Sequence, residues 1–260
     1  YKRQLDAPPG AYVGQVGSSS ITICPSGTHN PNNGSSQVSD CVGAMPGYYV
    51  PDHSKVSAGS WFSCAITTDG MHVQCWGRNK YLELGNTTSP FINTSTGDEF
   101  ASQPVTVEIE TNDRLTKIES GFAHTCVLNE TGSIWCWGYN QHGQLGSEAN
   151  LGGSTHIPQL LSLPPNSGTP VDLTSGFSST CTLTDNGSAY CWGQNDHGQL
   201  GIGHNRELPD GALSWASPTR VNLSVNDIIT DISIGDNYGC AILQNSSLYC
   251  WGYNQVGVLG

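Results

Sequence analysis

Glu119–Gly146 reads ESGFAHTCVLNETGSIWCWGYNQHGQLG, and the fold is decided by this stretch. Thr125–Leu128 and Ile134–Trp137 alternate apolar and polar residues around Asn129–Ser133, the pattern of two antiparallel strands joined by a turn. Working outward, three more segments align with it: Ser57–Gly85, Thr174–Gly201 and Ser233–Gly260. The Trp of the Cys-Trp-Gly triplet recurs at 76, 137, 192 and 251, giving periods of 61, 55 and 59 residues. Periods of that length exceed a solenoid helix pair and suit a propeller blade of four strands. Thr180–Leu183 and Ala189–Trp192 repeat the hairpin, with Asp185-Asn186-Gly187 as its turn. Two further strands are expected upstream of each hairpin, such as Val105–Ile109 followed by Leu115–Glu119, and Thr219–Leu223 followed by Ile228–Ile234. By this reading the first repeat lacks an obvious outermost strand.

The chain has 260 residues, 9 Lys+Arg and 21 Asp+Glu, for a net charge of −12. That sign repels phosphate backbones and argues against a nucleic-acid partner. The 32 Gly and 14 Pro fit many short strands joined by turns. No stretch reaches the ~18–20 apolar residues of a membrane span, so no direct membrane insertion is expected within this chain. There is no initiator Met and no signal peptide, so the sequence reads as a mature or excised segment.

Eight of the ten cysteines form local pairs: Cys64 with Cys75, Cys126 with Cys136, Cys181 with Cys191 and Cys240 with Cys250. None has zinc-ribbon or CxxC redox spacing. Each pair sits on the two arms of one hairpin, so a bridge would staple neighbouring strands. Closing such a loop contributes roughly 2–3 kcal/mol on the chain-entropy model. A regular disulfide framework persists only in an oxidising compartment. Seven N-x-[ST] sequons point the same way, at Asn33, Asn86, Asn93, Asn129, Asn186, Asn222 and Asn245. Asn186 and Asn245 lie at one turn position, and Asn129 lies in the same turn of its own hairpin. Glycans there would project from one edge of successive blades, while Asn86 and Asn93 mark a second decorated loop, Asn86–Phe100.

The pattern G-x-x-H-x-C-x-L, then G-x-x-x-C-W-G-x-N-x-x-G-Q-L-G, resembles the regulator-of-chromosome-condensation repeat. Gly121, Leu128, Gly132, Trp137, Gly138, Asn140, Gly143 and Leu145-Gly146 carry the match. The resemblance covers residues 53–260 and implies a β-propeller, typically of seven blades, of which four repeats lie here. The paired cysteines make it more similar to the extracellular, Crinkly-type branch than to the nuclear exchange factor. Family members perform nucleotide exchange, enzyme inhibition and receptor recognition, so the fold transfers and the activity does not. Two departures stand out. The first repeat has Lys80-Tyr81-Leu82-Glu83 where the others carry a Gly, and His124 has no counterpart in the other three.

Residues 14–52 form a separate module. Ala7–Val13 and Ala44–Val50 are nearly one phrase, 37 residues apart, with Cys24-Pro25-Ser26-Gly27-Thr28 and Cys41 between them. This resembles the ephrin-receptor-like cysteine-rich module, with Ala44 where a further cysteine often stands. The resemblance implies a Cys24–Cys41 bridge, and residues 1–13 as the tail of an earlier copy. The chain thus reads as a window on a longer protein with an interrupted seven-bladed ring.

Candidate chemistry is sparse. His142 and His197 repeat because their turn repeats, and no local spacing gathers the three or four histidines a zinc site needs. Asp98-Glu99, Glu108 and Glu110 are candidates for a glycosidase-like carboxylate pair, though neighbouring acids on polar loops are ordinarily just solvated. No G-x-S-x-G, P-loop or H-E-x-x-H occurs. The periodic Trp76, Trp137, Trp192 and Trp251 are best explained by burial between blades. Trp61, Trp135 and Trp215 break the period and are the candidates for exposed contacts. The expectation is a non-enzymatic extracellular glycoprotein without cofactor or metal. It would act as a structural or adhesive component of a cell surface, matrix or filamentous appendage, with other extracellular proteins or copies of itself as partners. A ligand-recognition ectodomain is the alternative, and a secreted enzyme or enzyme inhibitor the third.

Overall fold

The computed structural model describes residues 55–86, 91–92, 99–204, 214–223 and 228–260, together with the pairs 11–12, 22–23, 28–29 and 42–43. The chain divides into two units, residues 1–53 and 54–260. In the first, β1 (Ala11–Tyr12) pairs with β2 (Thr22–Ile23) and β3 (Thr28–His29) with β4 (Val42–Gly43), both antiparallel. The expected Cys24–Cys41 bridge and Asn33 lie outside the described residues.

The second unit is a series of antiparallel sheets. The first contains β5 (Val56–Ala58), β6 (Phe62–Ile66), β7 (Val73–Arg78), β8 (Phe91–Ile92) and β9 (Glu99–Val107), in the order β5-β6-β7-β9-β8. The second is β10 (Leu115–Ser120), β11 (His124–Asn129), β12 (Ile134–Tyr139) and β13 (Ser154–Leu160). The third is β14 (Pro170–Ser175), β15 (Ser179–Thr184), β16 (Ala189–Gln194) and β17 (Ser214–Arg220). The fourth is β18 (Ile229–Ile234), β19 (Tyr238–Leu243) and β20 (Leu248–Gly252). Successive sheets pack through their first two strands: β10 against β5 and β6, β14 against β10 and β11, β18 against β14 and β15. These are the four-stranded blades of an all-β propeller.

Two expectations are corrected here. The first of the two strands expected upstream of each hairpin belongs to the preceding blade, because Val105 is in register with Cys75 and Thr219 with Cys191. The first blade therefore has its outer strand, β9, and β8 adds a fifth. Among the described residues it is the fourth blade that stops at three strands. Nor do β11 and β15 alternate in burial. Every residue of both is buried, because they sit between neighbouring sheets and are covered on both faces.

In the described hairpins the paired cysteines stand directly opposite each other. Cys64–Cys75, Cys126–Cys136, Cys181–Cys191 and Cys240–Cys250 are all bonded, each with Cα atoms 4.1 Å apart. The periodic tryptophans then tie blade to blade. Trp137 and Trp192 are fully buried. The indole Nε1 of Trp137 donates to the Glu83 carbonyl of the blade before it, at 3.0 Å. Trp192 donates likewise to Gln144 and Trp251 to Gln199, both at 2.9 Å. A large apolar ring whose single polar atom is satisfied makes a strong buried joint.

Candidate interaction face

Each blade has two ends. At one lie the turns within the cysteine hairpins, such as residues 129–133. At the other lie the loops between the first and second strands, such as Gly121–Ala123, and the loops leaving the third strand, such as Tyr139–Gly153. The second end is shaped by a local device that repeats. Asn140 accepts from Leu145 N through Oδ1 and donates through Nδ2 to the Ser147 and Ala149 carbonyls, while Gln144 Oε1 accepts from His142 N. Asn195 and Gln199 make the matching bonds to Leu200, His204 and His197. His142 and His197 are thus turn residues.

These loops present a row of rings. Arg78 lies over the rings of Tyr81 and Phe122, at 5.3 and 5.6 Å from their centroids. Tyr81 is 4.4 Å from Tyr139, and Phe122 stacks on Phe177 at 4.4 Å. The Phe122 N–H donates to the Phe177 carbonyl at 3.0 Å, joining the second and third blades. Tyr253 of the fourth blade meets His197 of the third edge-on at 5.0 Å. The side chains come from all four blades. Phe177 is 41% exposed and Trp61 on the first loop 66% exposed, so the row is open to a partner.

One charge sits inside it. Arg78 Nε binds the fully buried Glu83 carboxylate at 3.1 Å, and Arg78 Nη2 is buried without a hydrogen-bond partner. Burial pushes the Glu83 carboxyl above its ordinary value, against the pull of Tyr81 N and Arg78. Aromatic planes around a guanidinium suit stacking and acceptance of a polar or anionic group.

Under the same loops His124 is fully buried. Its ring lies 2.8 Å from the Thr180 hydroxyl, and Nδ1 has no partner. Burial pushes its pKa down to about 3, so it is neutral. It fills the space beneath Gly121, where an added Cβ would meet its ring at 2.2 Å. Phe62 and Tyr238 do the same beneath Gly59 and Gly235. His124 is therefore a packing residue with structural counterparts that the alignment of residue types did not reveal.

On the inner strands, Lys117 of β10 bonds Asp172 of β14 across two blades, with Glu119 at 3.8 Å from the same ammonium. Burial pushes Glu119 up to about 7, Lys117 pulling it down and Asp172 pushing it further up.

Of the candidate acids, Glu108 and Glu110 line an outer groove of about 520 Å³ with Asn86, Trp135, His156 and Leu160. Asp98 and the Glu99 side chain lie outside the described residues. Trp135, read from sequence as an exposed contact, is only 6% exposed, because it packs in the core under that groove. The Trp215 side chain lies outside the described residues. Among the described residues no group of three or more His, Cys, Asp or Glu is placed to hold a metal, and no helix is long and apolar enough to cross a membrane.

The sequon asparagines fall into different environments. Asn186, Asn222 and Asn245 are exposed and Asn86 is half-buried. Asn129 is buried. The Asn93 side chain lies outside the described residues. Tyr81 stands out in the sequence only as part of the Lys80-Tyr81-Leu82-Glu83 departure, and none of Tyr81, Phe122, Tyr139 and Phe177 is legible there as a contact residue. The signal available was an aromatic residue after the loop glycine in two adjacent repeats, Gly121-Phe122 and Gly176-Phe177.

Models of the regulator of chromosome condensation (RCC1) repeat match residues 54–82, 115–144, 171–199 and 229–258, and also 131–183 and 186–242. The chain is 29% identical over 212 residues to the ultraviolet-B receptor UVR8 of Arabidopsis thaliana, covering 79% of this chain and 42% of that one. It is 30% identical over 207 residues to the probable E3 ubiquitin-protein ligase HERC4 of Homo sapiens, covering 79% and 18%. Among solved structures, Prp20p of Saccharomyces cerevisiae superposes with a TM-score of 0.64 at 21% identity, over 84% of this chain and 49% of that one. The chain spans less than half the length of these relatives.

Proposed function

This chain belongs to the regulator of chromosome condensation repeat family, and from that premise we propose that it is the propeller of an extracellular glycoprotein whose loop end binds protein partners, in a structural or adhesive role and without catalysis. The observation that carries the reading is the ring row Tyr81, Phe122, Tyr139 and Phe177 around Arg78. It is assembled from three blades and open to solvent, and aromatic residues with Arg are the anchors that dominate protein interfaces. The disulfide in each described hairpin supports an oxidising compartment. Partners are other extracellular proteins or further copies of the chain, in a surface layer, matrix or filament. Negative-stain imaging of the full-length protein from its native source tests this. Regular assemblies confirm the structural role.

Discrete single particles would overturn that role in favour of a ligand-recognition ectodomain. The second reading draws on one observation, the buried and unpartnered Nη2 of Arg78, which suits capture of a specific acceptor group.

A further inference from the structure

Four of the described sequons lie towards the turn end of the blades, opposite the ring row. Asn129, Asn186 and Asn245 are in the hairpin turns, and Asn222 follows Arg220, which pairs with Tyr190 near the turn end of β16. Asn86 stands apart, in the loop that leaves β7: its carbonyl accepts from Asn79 Nδ2 at 2.9 Å while its Nδ2 donates to the Thr106 carbonyl.

Within the turns, a two-residue offset separates Asn129 from the rest. Asn129 is three residues beyond its hairpin's first cysteine, Asn186 and Asn245 five. At the earlier position the side chain becomes the scaffold of the turn. Asn129 Oδ1 accepts from Thr131 N at 3.2 Å and Ser133 N at 2.7 Å. Its Nδ2 spends both hydrogens, on Thr111 Oγ1 at 3.5 Å and Asp113 Oδ2 at 3.2 Å. The sequon hydroxyl is taken too, since Thr131 Oγ1 donates to Asp113 Oδ2 at 2.9 Å. The residue is 2% exposed. At the later position Asn186 is exposed, and its Nδ2 donates once, to the Ser167 carbonyl at 3.1 Å.

N-glycosylation transfers an oligosaccharide from a polyisoprenyl pyrophosphate donor. The bond from the sugar's anomeric carbon to the pyrophosphate oxygen breaks, with the electron pair leaving on the pyrophosphate. A bond from that carbon to Nδ2 forms, and one Nδ2 proton passes to base. The product amide keeps one N–H. Asn186 can keep its bond to Ser167 afterwards, whereas Asn129 must lose at least one of its two and leave a buried site. We infer that this chain carries a one-sided coat of N-linked oligosaccharide, at Asn186, Asn222 and Asn245, and that Asn129 is withheld from modification by the fold despite its Asn-Glu-Thr triplet. The inference rests on the extracellular reading above and deepens it. The coat leaves the ring row bare for partners, since a glycan is bulky and solubilising.

Glycopeptide mapping of the folded protein secreted from eukaryotic cells tests it, with enzymatic deglycosylation in heavy-oxygen water to mark each occupied asparagine. Expected are marks at 186, 222 and 245 and an unmodified peptide at 129. A mark at 129 on secreted, disulfide-intact protein overturns the inference while leaving the extracellular reading standing. No mark at any sequon overturns that reading and the inference with it. Thr131→Asn supplies a second readout. It destroys the triplet at 129 and creates Asn-Gly-Ser two residues later, as in the third blade. The variant is expected to gain one oligosaccharide at position 131, and failure to gain it on secreted protein counts against position in the turn as the deciding factor.

Discussion

The loop that leaves the third strand is built differently in the first blade from the second and third. In the second and third blades it reads Asn-x-His-Gly-Gln, with glycines 143 and 198 at φ of 76° and 77° and a neutral glutamine capping the turn. In the first it reads Asn79-Lys80-Tyr81-Leu82-Glu83, with Leu82 at φ 61° and Glu83 Oε2 accepting from Tyr81 N at 2.6 Å. The backbone path is the same, and its purpose is the same: all three loops offer a carbonyl to the next blade's tryptophan. The chemistry has changed from an amide to a buried carboxylate, and Arg78 neutralises it. That exchange also places the guanidinium among the rings of the loop end. A repeat can therefore keep its packing joint while its capping residue is recruited to a surface.

The largest effect expected from that difference comes on removing the compensating charge. Arg78→Ala leaves Glu83 buried without its cation. Breaking such a pair costs about 3–5 kcal/mol when one partner stays buried. Because burial already raises the Glu83 pKa, the variant is destabilised least at low pH, where the carboxyl is neutral. The loss grows as pH rises through the folded-state value. Denaturant unfolding at pH 4.5 and 7.5 reads this, and Glu83→Gln added to Arg78→Ala should restore most of the lost stability by recreating the second blade's cap. If the double variant is no more stable than the single one, the equivalence of the two loops is broken.

A smaller, pH-dependent effect distinguishes the same two blades beneath the neighbouring loop, where Phe62 fills one blade and His124 the other. Desolvation holds His124 near 3 in the folded state against 6.5 unfolded, so the unfolded chain binds the proton first. Stability is complete above about pH 6.5 and falls as pH drops from there towards 3, by about 2 kcal/mol at pH 5. His124→Phe, which copies the first blade, should flatten that part of the pH profile. An unchanged slope would mean that the imidazole is not what titrates.

Much of this was legible in advance, because hairpins and periodic tryptophans are written in local spacing. Cys126, Cys136 and Trp137 declare their strands by offset alone, and their burial follows from the repeat. What was not legible depends on contacts between distant segments. Val105 looks like the opening strand of the second repeat, since sequence order cannot show that it pairs with Cys75. Asn129 and Asn186 look alike as triplets. Asn129 stands three residues after its cysteine, a position that is also buried at Thr184 and Leu243, and Thr111 and Asp113, on the segment leading into β10, close over it. The ring row was hidden for the opposite reason. Aligning repeats draws attention to positions that recur, whereas Phe122 and Phe177 align with Ser60 and Asp236, so variation at one site reads as noise until the blades are set side by side.

The mildest test concerns Leu82. A non-glycine residue in the left-handed region costs roughly 1 kcal/mol from the approach of Cβ to its own backbone, and the second and third blades avoid that cost with glycine. Leu82→Gly relieves the strain but frees the unfolded chain, whose extra backbone entropy opposes folding by roughly 0.5–1 kcal/mol. It also removes a half-buried side chain beside Tyr81. These terms nearly cancel, so the expected change is within about 0.5 kcal/mol of zero, read as the shift in denaturant midpoint. A loss above about 1.5 kcal/mol would show that the leucine packs as part of the ring row's foundation, and that the first blade gave up its glycine to gain that contact.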